Sequence, residues 1–134
     1  MIFLLDTNAI SDLMRQSPKI EGWLFDLNAG DRVVTCTIVQ GEILFGIERS
    51  PVGKKRNHLK ERAAQILASF ECLPVPVRAA EFYASIKFAR QKRGLPLDEN
   101  DQWIASTAIA IGATLVTRDA DFANIDGLAV ITQE

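Results

Sequence analysis

Hydrophobic positions along the chain fall into short solid runs separated by longer stretches with helical spacing. Ile2–Leu5 is apolar throughout, too short for a helix, and followed by the capping residues Asp6, Thr7 and Asn8. It predicts a buried strand leading into a helix over about Ala9–Arg15. Pro18 closes that helix, and Lys19–Asn28 sets Ile20, Trp23, Leu24 and Leu27 at helical spacing before Gly30 and Asp31 end it. The same unit then recurs without sequence repetition. β-Branched Val33–Thr37 predicts a strand, and Ile38–Arg49 a helix with Val39, Ile43 and Ile47 in register. After the break at Pro51-Val52-Gly53, Lys54–Phe70 predicts another helix. Leu73–Val77 reads as a third strand, made irregular and pushed to an edge by Pro74 and Pro76.

Arg78–Arg93 carries Ala79, Phe82, Tyr83, Ile86 and Ala89 on one stripe, with Gly94 as its stop. A loop, Leu95–Asn100, leads to a helix Asp101–Ile111 closed by Gly112. Strands Thr114–Thr117 and Leu128–Thr132 follow. Strands alternating with helices predict the α/β class: a three-layer α/β/α sandwich around a central, mainly parallel sheet of four to five strands.

Composition narrows the picture. A chain of 134 residues, 48% of them hydrophobic, is expected to form one domain over residues 1–134 with a core that needs no disulfide or structural metal. No apolar run approaches the roughly 18 residues of a membrane span, and the first residues lack the basic start of a signal peptide. Cys36 and Cys72 sit in apolar strand-like runs with no Cys-x-x-Cys spacing. They are expected to be buried small hydrophobes in a reducing cytoplasm. The net charge of −2 announces no nucleic-acid binder, but basic residues cluster. Arg49, Lys54, Lys55, Arg56, Lys60 and Arg62 form one group, and Lys87, Arg90, Lys92 and Arg93 another. Solvated helix faces produce such runs too.

The acids carry more information. Parallel sheets bind ligands at the carboxyl ends of their strands. Asp6 follows the first strand directly, Glu42 lies in the opening turns of the helix after the second, and Asp119 lies two residues past the fourth. Asp101 opens the helix feeding the fourth strand, an end expected to face the strand N-termini, so it joins the others only if Leu95–Asn100 crosses back over the carboxyl edge. Asp98, Glu99 and Asp121 are nearby reserves. Several carboxylates in one partly desolvated pocket repel unless a cation joins them, and an all-oxygen set suits Mg²⁺ or Mn²⁺. The single histidine, His58, lies in the basic run, so zinc has no ligand set. Neither phosphate-cradling nor dinucleotide-binding glycine patterns occur. What remains is metal-assisted attack on a phosphate ester, with basic flanks to hold neighbouring phosphates of a nucleic acid.

Four segments, "LLDTNAIS", "IVQGEILFGI", "NDQWIASTA" and "LVTRDADF", resemble in order and spacing the motifs of PIN-domain ribonucleases, and among them VapC toxins of toxin–antitoxin pairs. The resemblance runs from Met1 to about Val130. It implies a Mg²⁺-dependent endoribonuclease that cuts structured RNA, commonly transfer or ribosomal RNA, and so inhibits translation. Asp6 and Asp101 match the positions that hold the metal, and Glu42 and Asp119 the remaining acids, with Asp121 as the substitute for the last. Thr7 and Asn8 match the polar pair that orients the first acid or the substrate; Lys54, Lys55 and Arg56 are the expected phosphate contacts. The resemblance further implies a homodimer neutralised by a cognate antitoxin whose C-terminal segment wraps the toxin. Two other readings compete: an aspartyl phosphatase, which ordinarily has a second acid where Asn8 stands, and a non-catalytic RNA-binding or protein-interaction module on the same fold. Trp103 and Ile104 are expected in the core. Trp23, Leu24, Phe25 and Leu27 crowd one helix densely enough to leave an apolar face for the antitoxin or a second copy.

Overall fold

The computed structural model describes residues 1–132. Five strands form one sheet in the order β3-β2-β1-β4-β5, with every neighbouring pair parallel. The strands are β1 (Ile2–Leu5), β2 (Arg32–Cys36), β3 (Glu71–Leu73), β4 (Thr114–Thr117) and β5 (Val130–Thr132). Leu4, Leu5, Val34, Leu115 and Val116 lose all contact with solvent. Consecutive residues can be buried in this way only when both sheet faces are covered, which is why these strands read as solid apolar runs.

The helices are α1 (Thr7–Met14), α2 (Pro18–Phe25), α3 (Thr37–Glu48), α4 (Lys54–Ala68), α5 (Ala79–Lys92) and α6 (Glu99–Ala110). The first connections lead outward from β1 through β2 to β3 on one flank; the next leads back across to β4 on the other. Right-handed crossovers in opposite directions put their helices on opposite faces. Accordingly α1, α3 and α4 pack on one another, and α5 packs on α6. The direction reverses between β1 and β4, so a crevice opens at their carboxyl ends. Among the described residues no helix is long and apolar enough to cross a membrane.

Most differences from the sequence reading lie at element ends and have local causes. Helix α1 starts at Thr7 rather than Ala9 because Asp6 caps it, its carboxylate accepting from the Ala9 N–H at 2.8 Å. Asp98 caps α6 in the same manner through the Asn100 N–H at 2.9 Å, so the helix begins at Glu99 and Asp101 sits inside its first turn. Gly94 and Gly112, both at φ +69°, terminate α5 and α6 as expected. Strand β3 is displaced to Glu71–Leu73. Pro74 and Pro76 cannot donate to a ladder, so pairing ends before them.

The edge position also overturns one expectation: Cys72 is exposed, and only Cys36 is buried. Trp23 and Leu24 of α2, and Leu27 just beyond it, pack against the core. The apolar surplus there reduces to Phe25, which is 89% exposed. Ile104 is buried as expected, whereas Trp103 is half-buried and stacks on Tyr83 with ring centroids 4.0 Å apart, between α5 and α6.

Candidate active site

Asp6 leaves β1 at the crevice. Its backbone N–H continues the ladder by donating to Val116 O of β4 at 3.1 Å, and its side chain turns inward to cap α1. Only 3% of the residue is exposed. That burial pushes the carboxyl up to about 6, against the opposing pull of hydrogen bonds from the Thr117 hydroxyl and the Ala9 N–H; the charges of Asp119 and Asp12 raise it further. A helix cap alone does not require this burial beside other acids.

Glu42, half-buried on α3, accepts a 2.5 Å hydrogen bond from the Thr7 hydroxyl, which ties the second acid to the first turn of α1. Asn8 is half-buried at the next position. Asp101 is also half-buried, and its carboxyl is pushed up to about 7. Desolvation is the main cause, followed by the charges of Asp98, Asp119, Glu42 and Asp6. Carboxylates from four separate segments of chain thus share one electrostatic field.

The expectation that Asp101 sits at the wrong end of its helix is corrected by topology. Helix α6 finishes at Ala110, just before β4 starts at Thr114, so its C-terminus lies at the amino edge of the sheet. A helix of 12 residues spans about 18 Å, enough to return its first turn to the carboxyl edge. Helix α5 runs antiparallel to it, as the pairs Arg78 with Ala110 and Lys87 with Glu99 show.

Asp119 caps the short 3-10 helix Ala120–Phe122, accepting from the Asp121 N–H at 2.9 Å. Asp121 is exposed; Asp119 is half-buried and contributes to the field at both Asp6 and Asp101. Thr117, wholly buried at the end of β4, has its hydroxyl on the side of the Asp6 carboxylate, whose charged form it favours, and accepts the Asp119 N–H at 2.9 Å. Sequence reasoning missed it, although its place between a strand and an acid was a signal. Asp98 was a reserve in the sequence reading; with Asn100 it lines the same cleft of about 510 Å³ as Thr7 and Glu42.

The donor set is all oxygen, and His58 is exposed on α4, so the cluster fits a hard divalent cation rather than zinc. Among the described residues, no three or more His, Cys, Asp or Glu side chains stand close enough together to hold a metal ion as they are placed. The acids share a field without yet sharing a ligand geometry.

The basic residues stand apart from this cleft. Lys54 and Lys55 are exposed at the start of α4. Arg56 is turned toward α3, where Nε donates to Ile47 O at 3.2 Å and the guanidinium pairs with Glu48 at 3.2 Å. In the second run, Lys87 pairs with Glu99 and Arg90 Nε donates to Leu95 O at 2.7 Å, so both help to hold the loop between α5 and α6.

The family model described as PIN domain matches residues 3–128. The chain is 36% identical to toxin FitB of Neisseria gonorrhoeae over 88% of each chain. It is 30% identical to VapC ribonuclease Y4jK of Sinorhizobium fredii over 97% of this chain and 96% of that one. Among solved structures, VapBC2 from Rickettsia felis bound to a DNA fragment from their promoter superposes with a TM-score of 0.91 at 26% identity over the whole of both chains. FitAcB from Neisseria gonorrhoeae superposes with a TM-score of 0.83 at 35% identity, covering 99% of this chain and 98% of that one. With its parallel sheet, its acids at the carboxyl edge and these relatives, the chain belongs to the PIN-domain family, in its VapC-type branch.

Proposed function

We propose that the chain is a Mg²⁺-dependent endoribonuclease, the toxin of a toxin–antitoxin pair, which cuts structured RNA such as transfer or ribosomal RNA and thereby inhibits translation. The observation that carries this reading is the field at Asp101. Asp98, Asp119, Glu42 and Asp6 all raise its carboxyl, although they come from distant parts of the sequence. Folding gains nothing from gathering like charges, whereas a hard cation turns the same arrangement into an asset.

Asp6 and Asp101 would hold the ion, with Mn²⁺ as a substitute, and Glu42 and Asp119 complete the acidic wall. When bound, the ion supplies Lewis-acid stabilisation of charge building on the phosphate and acidifies water. The chain's own part is orientation. The Ala9 N–H fixes one oxygen of Asp6, and the Thr7 hydroxyl fixes one of Glu42. Asn8 stands beside Thr7 as a substrate contact. Lys54 and Lys55 would hold flanking phosphates; Arg56 adds its charge to that wall while anchoring α4 to α3.

The relatives' names support the biological role. Toxin FitB is a sequence relative, and a toxin–antitoxin complex from Klebsiella pneumoniae is a structural one, with a TM-score of 0.70 at 26% identity. On this reading the partners are a cognate antitoxin and a second copy of the chain, and the setting is the cytoplasm. The test is an RNA cleavage assay with Mg²⁺, with Mn²⁺ and with chelator. Cleavage is expected with either metal, and none in chelator. Cleavage that persists under chelation sinks the reading.

A further inference from the structure

Helix α3 carries an aromatic residue with no packing reason to be where it is. Phe45 is 64% exposed and stands one turn beyond Glu42 on the same side of the helix, where Cβ atoms lie about 5–6 Å apart. Both line the 510 Å³ cleft, together with Thr7, Asp98 and Arg49. The Arg49 guanidinium lies over the Phe45 ring, 5.6 Å from its centroid.

Such a pair arises whenever an aromatic and a cation are four apart on a helix, and Phe88 with Lys92 on α5 repeats it at 5.6 Å. Location separates the two: only the α3 pair opens into the carboxylate cleft. The glycines of α3 point the same way. Gly41 and Gly46 line this cleft, have ordinary helical φ, and an added Cβ at either would meet nothing within 4 Å. A glycine inside a helix weakens it by about 0.5–1 kcal/mol relative to alanine, so neither is explained by turn geometry or close packing within the chain. Bare backbone on both sides of an exposed ring leaves room for something flat to lie against it. Apart from Ile38 the remaining side chains of the lining, Thr7, Thr37, Glu42, Asp98 and Asn100, are polar, unlike the groove on the other side of α3, where Leu44 lies with Ala63, Ala64 and Leu67.

We propose that Phe45 and Arg49 form a stacking subsite for one unpaired nucleobase of an RNA strand whose phosphate lies at the carboxylates. The identity of the strand as RNA rests on the nuclease reading; the flat π ligand rests on the ring, the cation and the bare helix wall. Base stacking on an aromatic side chain is worth about 1–3 kcal/mol, which corresponds to roughly 5- to 150-fold in affinity, and it tolerates sequence because every base has a π face. The subsite therefore demands single-strandedness next to the cut bond, so that within a folded RNA a loop is selected over a stem.

The test is fluorescence of 2-aminopurine placed successively along a short single-stranded RNA and read in chelator, where nothing is cut. Quenching at one position is expected with the wild-type chain and with Phe45→Tyr. It is expected to disappear with Phe45→Ala and with Phe45→Leu, which keeps apolar volume but no π face, and affinity should fall by the same roughly 5- to 150-fold. No quenching by the wild type, or equal quenching by Phe45→Ala or Phe45→Leu, overturns the subsite. A Phe45→Ala variant that changes oligomeric state while quenching normally assigns the ring to a protein contact and overturns it as well. Cleavage with Mg²⁺ is scored separately: a wild type that quenches but does not cut sinks the nuclease reading and leaves the subsite standing.

Discussion

Two clusters of like charge in this chain behave in opposite ways. The acids Asp6 and Asp101 are drawn into protein, and their carboxyls rise to about 6 and about 7. The basic residues at the head of α4 stay at the surface, and Arg56 uses its charge to satisfy the carbonyl end of α3. Surface charges are screened by water and need no further cause. Buried like charges destabilise the fold, so their persistence calls for a ligand that reverses the sign. On the proposed reading, the acidic cluster carries the chemistry and the basic one tunes affinity.

The sharpest way to break that comparison is Asp6→Asn. Asparagine caps a helix about as well as aspartate, so the start of α1 survives. In chelator the variant is expected to melt no lower than wild type, because it removes a desolvated charge beside Asp119. Mg²⁺ should reverse the order, since a ligand stabilises the native state by RT ln(1 + [L]/Kd) and the variant binds it worse. RNA cleavage should fall by about 100-fold or more, the scale on which removal of one preorganised electrostatic group acts. A normal Mg²⁺ shift with normal cleavage would reduce Asp6 to a cap.

The same acids set a pH dependence. A carboxyl raised from 3.8 to about 6 binds protons more tightly in the folded state, so its contribution is fully present below pH 4 and is lost as pH rises through 6. For Asp6 that loss amounts to about 3 kcal/mol. Asp101 extends the decline toward pH 7, and its solvent-facing side reduces the amount. Metal-free protein should therefore lose stability between pH 4 and 7, measured by denaturant melts at each pH. Asp6→Asn should flatten the lower part of the decline and Asp101→Asn the upper. Mg²⁺ should restore stability only above about pH 6, where the acids shed their protons. Flat melts from pH 4 to 7 would place the acids in solvent, like the lysines.

Arg56→Gln tests the other cluster from its structural side. Loss of the bond to Ile47 O and the pair with Glu48 should lower stability by about 1–2 kcal/mol in a thermal or denaturant melt. Unchanged stability would return Arg56 to the solvated group.

Periodicity made the sheet and most helices legible, because buried parallel strands are solid apolar runs and α3 repeats Val39, Ile43 and Ile47 on its core face. The positions of Asp6, Glu42 and Asp119 just past strand ends were legible for the same reason, whereas Asp101 joined them through the motif resemblance. Direction in space was not legible. That Asp101 reaches the carboxyl edge follows from the antiparallel path of α5 and α6, which no local pattern encodes. Cys72 was misjudged because an apolar run does not reveal an edge strand, and Thr117 because a threonine in a strand is ordinarily just β-forming.

The smallest expected effect belongs to Lys54 and Lys55, and it sharpens the comparison by asking whether surface charge here does anything. Each lysine that contacts an RNA phosphate displaces condensed counterions, so affinity depends on salt with a slope of about 0.7 for each contact on a single strand. Lys54→Glu with Lys55→Glu should lower that slope by about 1.4 if both touch phosphates, measured as binding of a single-stranded RNA across a salt series in chelator. Both side chains are exposed, so stability and the pH profile of the acids should not move. The affinity loss should be largest at low salt and vanish where counterions already crowd the strand. A parallel shift in affinity at unchanged slope would mean that the substitution disturbed the fold, and no shift at all would make this end of α4 a solvated face, leaving the phosphates to be held from within the cleft by Arg49.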